Sequence, residues 1–290
     1  VIKRWVKNMN KTNKDKIIGL FGQNIGGSLS PDIHNYLANV MGLKYHYFLF
    51  DLEPANLQKA VQSIKILKIK GVNVTIPYKK EVIEYLDEVD EKVDKIGAVN
   101  TIVNKDGVLI GKNTDVDGFD EMVYNKGIDF TDKKVVLIGA GGAARAVMYY
   151  LTEQDTAEVN IVNRTLRKAD LVKDSFDSEI EDINIFELGS DNSKDKINEA
   201  DIIINTTPLG MADRYEDKSP VSEDLINQEQ TLIDLVYKPR ITNFLQLGKN
   251  KNATIVSGIE MLIYQAVKSF EIWTNSMVEY HVVKELINNL

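Results

Sequence analysis

The feature that most constrains the fold is a glycine-rich turn between an apolar strand and a helix. The run 135–138 has the length and composition of a parallel strand buried on both faces. It is followed by Gly139-Ala140-Gly141-Gly142-Ala143-Ala144, which has the spacing G-x-G-x-x-A. Gly139 allows a tight turn, Gly141 lets a pyrophosphate approach the backbone, and Ala144 lets the helix pack on the strand. The turn therefore predicts a dinucleotide site at the start of the helix.

The same glycine pattern also occurs in ordinary strand-to-helix turns that bind no ligand. The neighbouring sequence is therefore needed to distinguish a dinucleotide site from such a turn. The run 158–162 reads as a second strand at the distance expected for a dinucleotide fold. Asn163-Arg164-Thr165 ends this strand, where NAD-binding proteins commonly have Asp or Glu. Arginine suits the 2′-phosphate of NADP, so NADP is favoured over NAD. A solvated cation at a strand end is the alternative for Arg164.

The chain has 290 residues, of which 43% are hydrophobic, and this is enough material for two cores. Strand and helix patterns alternate in both halves, which predicts an α/β fold with two α/β domains. We expect an N-terminal substrate domain over 1–117 and a Rossmann-type dinucleotide-binding domain over 118–257. The helices in 258–290 are expected to pack back on the first domain. Residues 1–15 are expected to be a frayed extension.

Composition excludes several classes of protein. The net charge is −8 and no basic stripe occurs, which argues against a nucleic-acid partner. The absence of cysteine excludes disulfides and thiolate chemistry. No apolar run approaches about 18 residues and no signal-peptide core is present, so we expect a cytoplasmic protein without a membrane partner. His34, His46 and His281 lack metal-ligand spacing, so we expect no metal and satisfied structural histidines.

Three polar segments of the first half have both a structural and a functional interpretation. Ser30 before Pro31 reads as a helix N-cap, but this does not explain Ser28. Pro77 is predicted to open a helix carrying Lys79 and Lys80, and two cations in a first turn oppose the helix dipole. That conflict is typical of a functional position, while two solvated lysines are the alternative. The segment 113–115 could simply cap the helix predicted near residue 117.

A longer series of segments carries a family resemblance. In the first half these are Ser28-Leu29-Ser30-Pro31 with His34-Asn35, Asn73-Val74-Thr75-Ile76-Pro77-Tyr78-Lys79, Ala98-Val99-Asn100-Thr101 and Asn113-Thr114-Asp115. In the second half they are Gly139 to Ala144, Asn163-Arg164-Thr165, Asn205 to Met211, Asp234-Leu235-Val236-Tyr237, and Met261-Leu262 with Gln265. Each segment is short, but their joint order is specific. Over 18–267 the chain resembles the shikimate dehydrogenase family.

The resemblance implies a role for each matching residue. Lys79 and Asp115 would be the catalytic pair. The substrate-binding residues would be Ser28 and Ser30 at the substrate carboxylate, Thr75, Asn100 and Gln265 at the ring hydroxyls, and Tyr237 closing the pocket. The cofactor-binding residues would be Gly139, Ala140, Gly141, Gly142, Ala143, Asn163, Arg164, Thr165, Lys168, Thr206 and Met261.

The resemblance also implies an activity, the reversible NADPH-dependent reduction of 3-dehydroshikimate to shikimate in aromatic amino acid biosynthesis. Ketone reduction needs a proton donor within hydrogen-bond reach of the carbonyl oxygen, and Lys79 with Asp115 is the candidate pair. One alternative is a quinate/shikimate dehydrogenase that uses NAD or NADP. Another is a non-catalytic nucleotide-sensing protein, against which the intact Lys79 and Asp115 argue. We expect a monomer or homodimer.

The chain departs from the family pattern at two places. Gln23-Asn24 and Gly27 stand in a loop where the family usually has a proline and a histidine. Gly258-Ile259-Glu260-Met261 replaces the usual Gly-Leu-Gly-Met and brings in a carboxylate. These departures bear on the shape of the substrate loop and on the packing around the nicotinamide.

Overall fold

The computed structural model describes residues 15–212 and 215–290. Of the expected N-terminal extension, residues 1–14 lie outside this description. The described chain forms two compact units. The first consists of 15–93, Val99–Lys112 and Ala266–Leu286, and the second of Asp94–Ala98, Asn113–Gln265 and Ile287–Leu290. The bounds at 117 and 257 that the sequence analysis gives to the domains stay a prediction.

The first unit contains a mixed sheet of six strands among the described residues. These are β1 (Lys16–Gly22), β2 (Tyr45–Asp51), β3 (Gly71–Val74), β4 (Glu88–Val89), β5 (Thr101–Lys105) and β6 (Val108–Lys112), in the order β2-β1-β3-β5-β6-β4. β1 is parallel to β2 and β3, whereas β5 is antiparallel to β3 and β6. The tight turn between β5 and β6 has positive φ at Asp106 and Gly107, which suits the Asp-Gly pair found there.

The helices of this part of the chain cover the sheet through apolar residues at helical spacing. They are α1 (Ser30–Val40), α2 (Leu57–Ile66) and α3 (Glu91–Ile96), with short 3₁₀ helices at Pro54–Asn56 and Glu81–Tyr85. Leu57, Val61 and Ile64 of α2 are fully buried and belong to one core with Val72 and Ile102 of the sheet. The i, i+4, i+7 spacing of the three α2 residues explains why this helix packs on one side.

The prediction of a helix beginning at Pro77 is wrong. Residues 76–80 form turns, and the first helical residues are Glu81–Tyr85 in a 3₁₀ helix. The carbonyl of Lys79 accepts a hydrogen bond from the Val99 N–H at 2.7 Å, so it is used by a distant segment rather than by the next helical turn. The argument that Lys79 opposes a helix dipole therefore does not hold.

The second unit contains a parallel sheet of six strands among the described residues. These are β7 (Lys134–Ile138), β8 (Glu158–Asn163), β9 (Ile183–Glu187), β10 (Ile202–Asn205), β11 (Thr231–Asp234) and β12 (Thr254–Ser257), in the order β12-β11-β10-β7-β8-β9. Neighbouring strands pair in parallel throughout. The chain winds from β7 to β9 in one direction and then from β10 to β12 in the other. The strand order reverses between β7 and β10, the position where doubly wound sheets bind their ligands.

Helices connect these strands and continue beyond them. They are α4 (Asp115–Lys126), α5 (Gly142–Leu151), α6 (Leu166–Lys173), α7 (Asp191–Glu199), α8 (Asn243–Asn250), α9 (Ile259–Thr274) and α10 (Tyr280–Asn289). Gly127 ends α4 in the left-handed conformation, with φ of 65°. The predicted fold class is confirmed: two α/β domains, of which the second is Rossmann-type, with C-terminal helices.

The outer edge of the first sheet is closed locally by a side chain. β2 lies at the edge, because among the described strands it pairs with β1 alone. The amide of Asn35 on α1 accepts a hydrogen bond from the Tyr47 N–H at 2.9 Å and donates one to the Tyr47 carbonyl at 3.4 Å. The Asn35 side chain thus takes the place that a neighbouring strand would have at Tyr47.

Candidate active site

The predicted carboxylate-binding serines form a compact turn in the first unit. The Ser28 hydroxyl donates to the Ser30 hydroxyl at 3.1 Å and accepts from the Ser30 N–H at 3.2 Å. α1 begins at Ser30, and the residue in the N-cap position is Leu29, without a side-chain cap. The interpretation of Ser30 as an N-cap is therefore wrong. Its hydroxyl faces the Ser28 hydroxyl, and two adjacent hydroxyls can donate to one carboxylate.

A buried polar network lies behind this part of the site. The Tyr47 hydroxyl donates to Asn73 Oδ1 at 2.8 Å, and Asn73 Nδ2 lies 3.0 Å from both Thr101 Oγ1 and Ser269 Oγ. Asn73 Nδ2 also donates to the Asn100 carbonyl at 3.2 Å. All of these side chains are buried, so the bonds fix the backbone that presents Asn100. The sequence analysis did not identify Tyr47 or Ser269, because each looks like an ordinary strand or helix residue.

Three further predicted residues lie in the first unit close to the ends of its strands. Thr75 follows β3, and its N–H donates to the Phe21 carbonyl at 2.9 Å. Asn100 precedes β5, is buried, and accepts on Oδ1 from the Thr101 hydroxyl at 3.0 Å. Lys79 is half-buried in the turn before the 3₁₀ helix. The first unit therefore holds Ser28, Ser30, Thr75, Lys79 and Asn100 of the predicted site.

His34 is buried without hydrogen bonds from its ring. It is 0% exposed, stacks on Tyr47 with ring centroids 4.3 Å apart, and neither ring nitrogen has a partner among the described residues. Burial lowers its pKa to about 3, so the ring is neutral at physiological pH. The expectation that His34 is hydrogen-bonded is wrong, whereas its structural role as an aromatic packing element fits the geometry.

The glycine turn of the second unit has the features that a pyrophosphate site requires. Gly139 has φ of +116°, and a Cβ there would lie 2.3 Å from the Thr206 hydroxyl, so the position requires glycine. A Cβ added at Gly141 would meet nothing within 4 Å, which leaves open space beside the backbone. α5 begins at Gly142, directly after this turn, with its first N–H groups unbonded within the helix. The turn fits a bound phosphate anion.

The predicted adenosine-end residues follow β8. Arg164, Thr165 and Lys168 are exposed, and Asn163 shapes the turn by donating from its side chain to the Thr165 carbonyl at 2.8 Å. Thr165 occupies the N-cap position of α6 but makes no side-chain cap. Since these side chains are exposed and no hydrogen bond or ion pair holds them to other residues in the described ranges, they are accessible from solvent. A phosphate at this strand end would meet two positive side chains.

A pair of close helices carries three more predicted residues. Asp115 is the first residue of α4, and its N–H donates to Asn113 Oδ1 at 3.0 Å. The Thr114 hydroxyl donates to the Gln265 carbonyl of α9 at 3.1 Å, so it ties the two helices together instead of capping α4. A Cβ on Gly118 would lie 2.7 Å from the Met261 carbonyl oxygen. The second unit thus holds Asp115, Met261 and Gln265 on two helices in direct contact.

Thr206 and Tyr237 lie in loops at the carboxyl ends of β10 and β11. Thr206 donates through both its N–H and its hydroxyl to the Ile138 carbonyl, at 2.9 and 2.8 Å. Tyr237 is half-buried, and burial raises the pKa of its phenol, which stays protonated. Thr206 therefore lies beside the glycine turn, at the reversal of strand order.

The two departures from the family pattern have local structural explanations. Glu260 Oε1 lies 2.5 Å from Lys126 Nζ, so the added carboxylate forms an ion pair between α9 and the end of α4. Asn24 has φ of 55°, and its N–H donates to Asp51 Oδ1 at 2.8 Å, while Gln23 bonds to Glu53 at 3.3 Å. The loop before Ser28 is therefore anchored to residues at and just after the end of β2.

Two further observations concern metal sites and membrane spans. No group of three or more His, Asp and Glu side chains in the described part of the chain is arranged to hold a metal ion. No helix in that part is long and apolar enough to span a bilayer. The fold and these side chains define a dinucleotide-binding α/β protein with a separate polar site in its first unit.

Comparison with known proteins identifies the family. Residues 20–102 match the model of the shikimate dehydrogenase substrate binding domain, residues 121–241 that of shikimate / quinate 5-dehydrogenase, and residues 258–287 that of the shikimate 5′-dehydrogenase C-terminal domain. Shikimate dehydrogenase (NADP(+)) from Clostridium beijerinckii is 44% identical over 268 residues, which is 92% of this chain and 95% of the relative.

Solved structures agree with this assignment. A shikimate dehydrogenase in complex with NADP+ superposes with a TM-score of 0.86 at 37% identity, covering 95% of both chains. The enzyme from Thermus thermophilus, in complex with NADP(H) and shikimate, has a TM-score of 0.83 at 31% identity, covering 94% of this chain and 99% of that one. The chain belongs to the shikimate dehydrogenase family, as its sequence motifs predicted.

Proposed function

We propose that the chain catalyses the reversible NADPH-dependent reduction of 3-dehydroshikimate to shikimate, a step of aromatic amino acid biosynthesis. The observation that carries the proposal is that family models for the substrate-binding and the dehydrogenase domains both match one chain that retains Lys79 and Asp115. The relatives named shikimate dehydrogenase (NADP(+)) are similar over almost their whole length, which supports assigning the complete reaction rather than binding alone.

The residues of the second unit fit NADP. The open backbone at Gly141 and the start of α5 would hold the pyrophosphate, together with Gly139, Ala140, Gly142 and Ala143. Arg164, supported by Asn163, Thr165 and Lys168, would hold the 2′-phosphate through charge-assisted hydrogen bonds. Thr206 and Met261 would lie at the nicotinamide end. NADPH, when bound, supplies the hydride for the carbonyl carbon.

The side chains of the first unit suit an anionic, polyhydroxylated substrate. The hydroxyls of Ser28 and Ser30 bind the carboxylate without adding a full positive charge. Thr75 and Asn100 bind ring hydroxyls, and the buried network through Asn73 keeps Asn100 in place. Gln265 and Tyr237 complete substrate recognition. These side chains orient the ring before reaction, which is the main contribution that a binding site makes to a hydride transfer.

Proton transfer is the part of the reaction that the protein performs directly. The carbonyl oxygen gains negative charge as it is reduced, so it needs a proton donor within hydrogen-bond reach. We assign this proton transfer to Lys79 and Asp115 together, without separate roles for the two groups. The pair would give the proton during reduction and take one back during oxidation of shikimate.

The second candidate is a quinate/shikimate dehydrogenase that accepts NAD as well as NADP. One matching family model covers both substrates, as its description names shikimate and quinate. Arg164 stands against the NAD half of this candidate, because NAD has no phosphate for it to bind. We further propose a cytoplasmic enzyme that works as a monomer or homodimer without nucleic acid or membrane, in keeping with its net charge of −8.

The test is a spectrophotometric assay of the purified chain with NADP and shikimate, repeated with NAD and with quinate. We expect NADP-dependent oxidation of shikimate, with much lower rates in the other combinations. Lys79→Ala should lose roughly 100-fold or more in kcat while KM for shikimate changes little, because the lysine acts mainly in the transition state. Near-normal turnover of Lys79→Ala would remove Lys79 from its catalytic role.

A further inference from the structure

One buried carboxyl connects the loops that carry two of the proposed ligand-binding residues. Asp234 ends β11 and is 0% exposed. Its Oδ1 accepts from Asn205 Nδ2 at 2.9 Å and from the Val236 N–H at 3.0 Å. Its Oδ2 accepts from the Thr242 hydroxyl at 2.5 Å. These partners come from the end of β10, from the segment after β11 and from the start of α8.

The Asn205 side of this cluster shapes the loop that contains Thr206. Asn205 Oδ1 accepts from both the N–H and the hydroxyl of Thr207, at 3.0 and 2.7 Å, and its Nδ2 donates to the Leu209 carbonyl at 3.1 Å. One amide therefore closes the loop over 205–209. Thr206 lies in its middle, held to the Ile138 carbonyl that precedes the glycine turn.

The other side of the cluster holds both ends of the segment that contains Tyr237. The Val236 N–H binds Oδ1 of Asp234 directly before Tyr237. Thr242 binds Oδ2 at the far end of the segment and also caps α8, because its hydroxyl accepts from the Leu245 N–H at 3.3 Å. The position of Tyr237 therefore depends on the same carboxyl as the position of Thr206.

We propose that Asp234 is a positioning residue that sets the geometry of the cofactor loop at Thr206 and of the substrate loop at Tyr237 together. It acts through Asn205, Val236 and Thr242, and it does not itself bind ligand. The inference rests on the proposed function, since the roles of Thr206 and Tyr237 belong to it. Its consequence is that one buried group controls the binding of both reactants.

The Asp234 carboxyl has a clear isosteric substitute. Burial raises its pKa to about 6, and the Asn205 amide, the Thr242 hydroxyl and the Val236 N–H that bind it are all uncharged. An asparagine at 234 keeps an Oδ1 acceptor for Asn205 and Val236, and its Nδ2 can donate to the Thr242 hydroxyl. Asp234→Asn therefore keeps the cluster, whereas Asp234→Ala removes the acceptor that Asn205, Val236 and Thr242 share.

Gln230 offers a matched control at the opposite end of the same strand. It directly precedes β11 and is 1% exposed. Its side chain accepts from the Asn227 N–H at 3.0 Å and donates to the Ile197 carbonyl at 2.8 Å. Gln230→Ala removes a buried polar side chain of comparable hydrogen bonding, but it does not touch the loops of Thr206 or Tyr237.

The experiment measures KM and kcat of the 290-residue enzyme and its three variants with NADP and shikimate, alongside urea unfolding. Asp234→Ala should raise KM for both reactants about tenfold with a smaller change in kcat, and Asp234→Asn should restore both to within about threefold of wild type. Gln230→Ala should lower the unfolding midpoint and leave both KM values unchanged. Unaltered KM values in Asp234→Ala, or equal increases in Gln230→Ala, would overturn the inference.

Thr207→Val provides a second test of the inference that does not depend on whether Asp234→Ala folds. Thr207 is half-buried, and the change removes its hydroxyl bond to Asn205 Oδ1 and the acceptor for the Leu209 N–H at 3.2 Å. We expect KM for NADP to rise and KM for shikimate to stay the same, and no change in KM for NADP would count against the inference. A wild-type chain without activity would refute the proposed function itself, whereas an active wild type with unaffected variants refutes only the role of Asp234.

Discussion

His34 is a residue whose charge is controlled by the fold, with consequences for acid stability. Burial against Tyr47 and Trp273 lowers its pKa from 6.5 to about 3. Between these pH values the unfolded chain binds a proton that the folded chain does not. The contribution of His34 to the free energy of unfolding is therefore fully present above about pH 6.5 and is lost as the pH falls toward 3.

His34→Phe tests this linkage, because phenylalanine keeps an aromatic ring of similar size and cannot be protonated. We expect the free energy of unfolding of the variant to fall less than that of wild type between about pH 7.5 and about pH 4.5, by on the order of 2 kcal/mol. Urea unfolding at several pH values provides the measurement. At the upper end of this range His34 is neutral in both states, which supplies the reference. Parallel pH curves for the two proteins would contradict the prediction.

Arg164 is the residue on which cofactor choice is expected to depend. It is exposed at the end of β8, and the 2′-phosphate of NADP would give it a charge-assisted partner that NAD lacks. Arg164→Ala should raise KM for NADP by roughly tenfold or more and change KM for NAD little. Arg167→Ala, which removes an exposed cation nearby on α6, is the control. Equal losses for both cofactors would mean that Arg164 does not read the phosphate.

Sequence motifs supplied the residues of the proposed site, but they did not describe the local structure around those residues. Ser30 and Thr114 each fit a helix-cap pattern, yet neither caps a helix. Ser30 is already the first helical residue and its hydroxyl bonds to Ser28, whereas the Thr114 hydroxyl donates to the distant Gln265 carbonyl. Asp234 stands out in the sequence only as part of a motif. The sequence does not show whether a carboxyl at the end of a strand is solvated or buried. Its burial depends on the chain segments that pack over it.

At the scale of elements, the contact between α4 and α9 depends on one glycine. A Cβ at Gly118 would lie 2.7 Å from the Met261 carbonyl oxygen and 2.9 Å from the Gln265 nitrogen, both of them backbone atoms. Alanine is favoured over glycine inside a helix by about 1 kcal/mol, but here the helices would have to move apart. The two elements that carry Asp115, Met261 and Gln265 are therefore held at a fixed short distance.

Gly118→Ala should lower the free energy of unfolding by about 1–3 kcal/mol and raise KM for both NADP and shikimate. Thermal or urea unfolding and steady-state kinetics provide the two measurements. Glu121→Ala, on the exposed side of the same helix, is the control and should change neither. A Gly118→Ala variant that is more stable than wild type would show that the helices can separate without cost.

Secondary structure was predicted correctly where a local sequence pattern determines it. The prediction failed where a contact with a distant segment determines the conformation. The strands β7 and β8 and the helix α5 follow from apolar runs and the glycine spacing alone. The helix expected at Pro77 did not form, because the carbonyl of Lys79 accepts from the N–H of Val99, a residue 20 positions along the chain. A proline predicts the start of a helix only when the carbonyls that follow it are available to accept hydrogen bonds within the helix.

For the whole molecule, the sequence predicted two α/β domains but not the strand order of the first sheet. The second sheet follows the doubly wound pattern that its glycine turn predicts. In the first sheet, β5 is inserted beside β3 as an antiparallel strand, and the pairing is stabilised by Asn73 and its buried partners. Such a pairing depends on contacts between residues about 27 positions apart, which no periodicity records.

Asn35 has a consequence for how copies of the molecule behave toward each other. An edge strand is a template for aggregation, since any extended chain can add to its free backbone groups. The Asn35 amide already occupies the N–H and carbonyl of Tyr47, in the middle of β2. Asn35→Ala should therefore leave activity and melting temperature nearly unchanged but increase light scattering during prolonged incubation at high concentration. Asn39→Ala on the same helix is the control and should scatter light like wild type. The exposed amide of Asn35 would thus protect the protein in solution against association through its sheet edge.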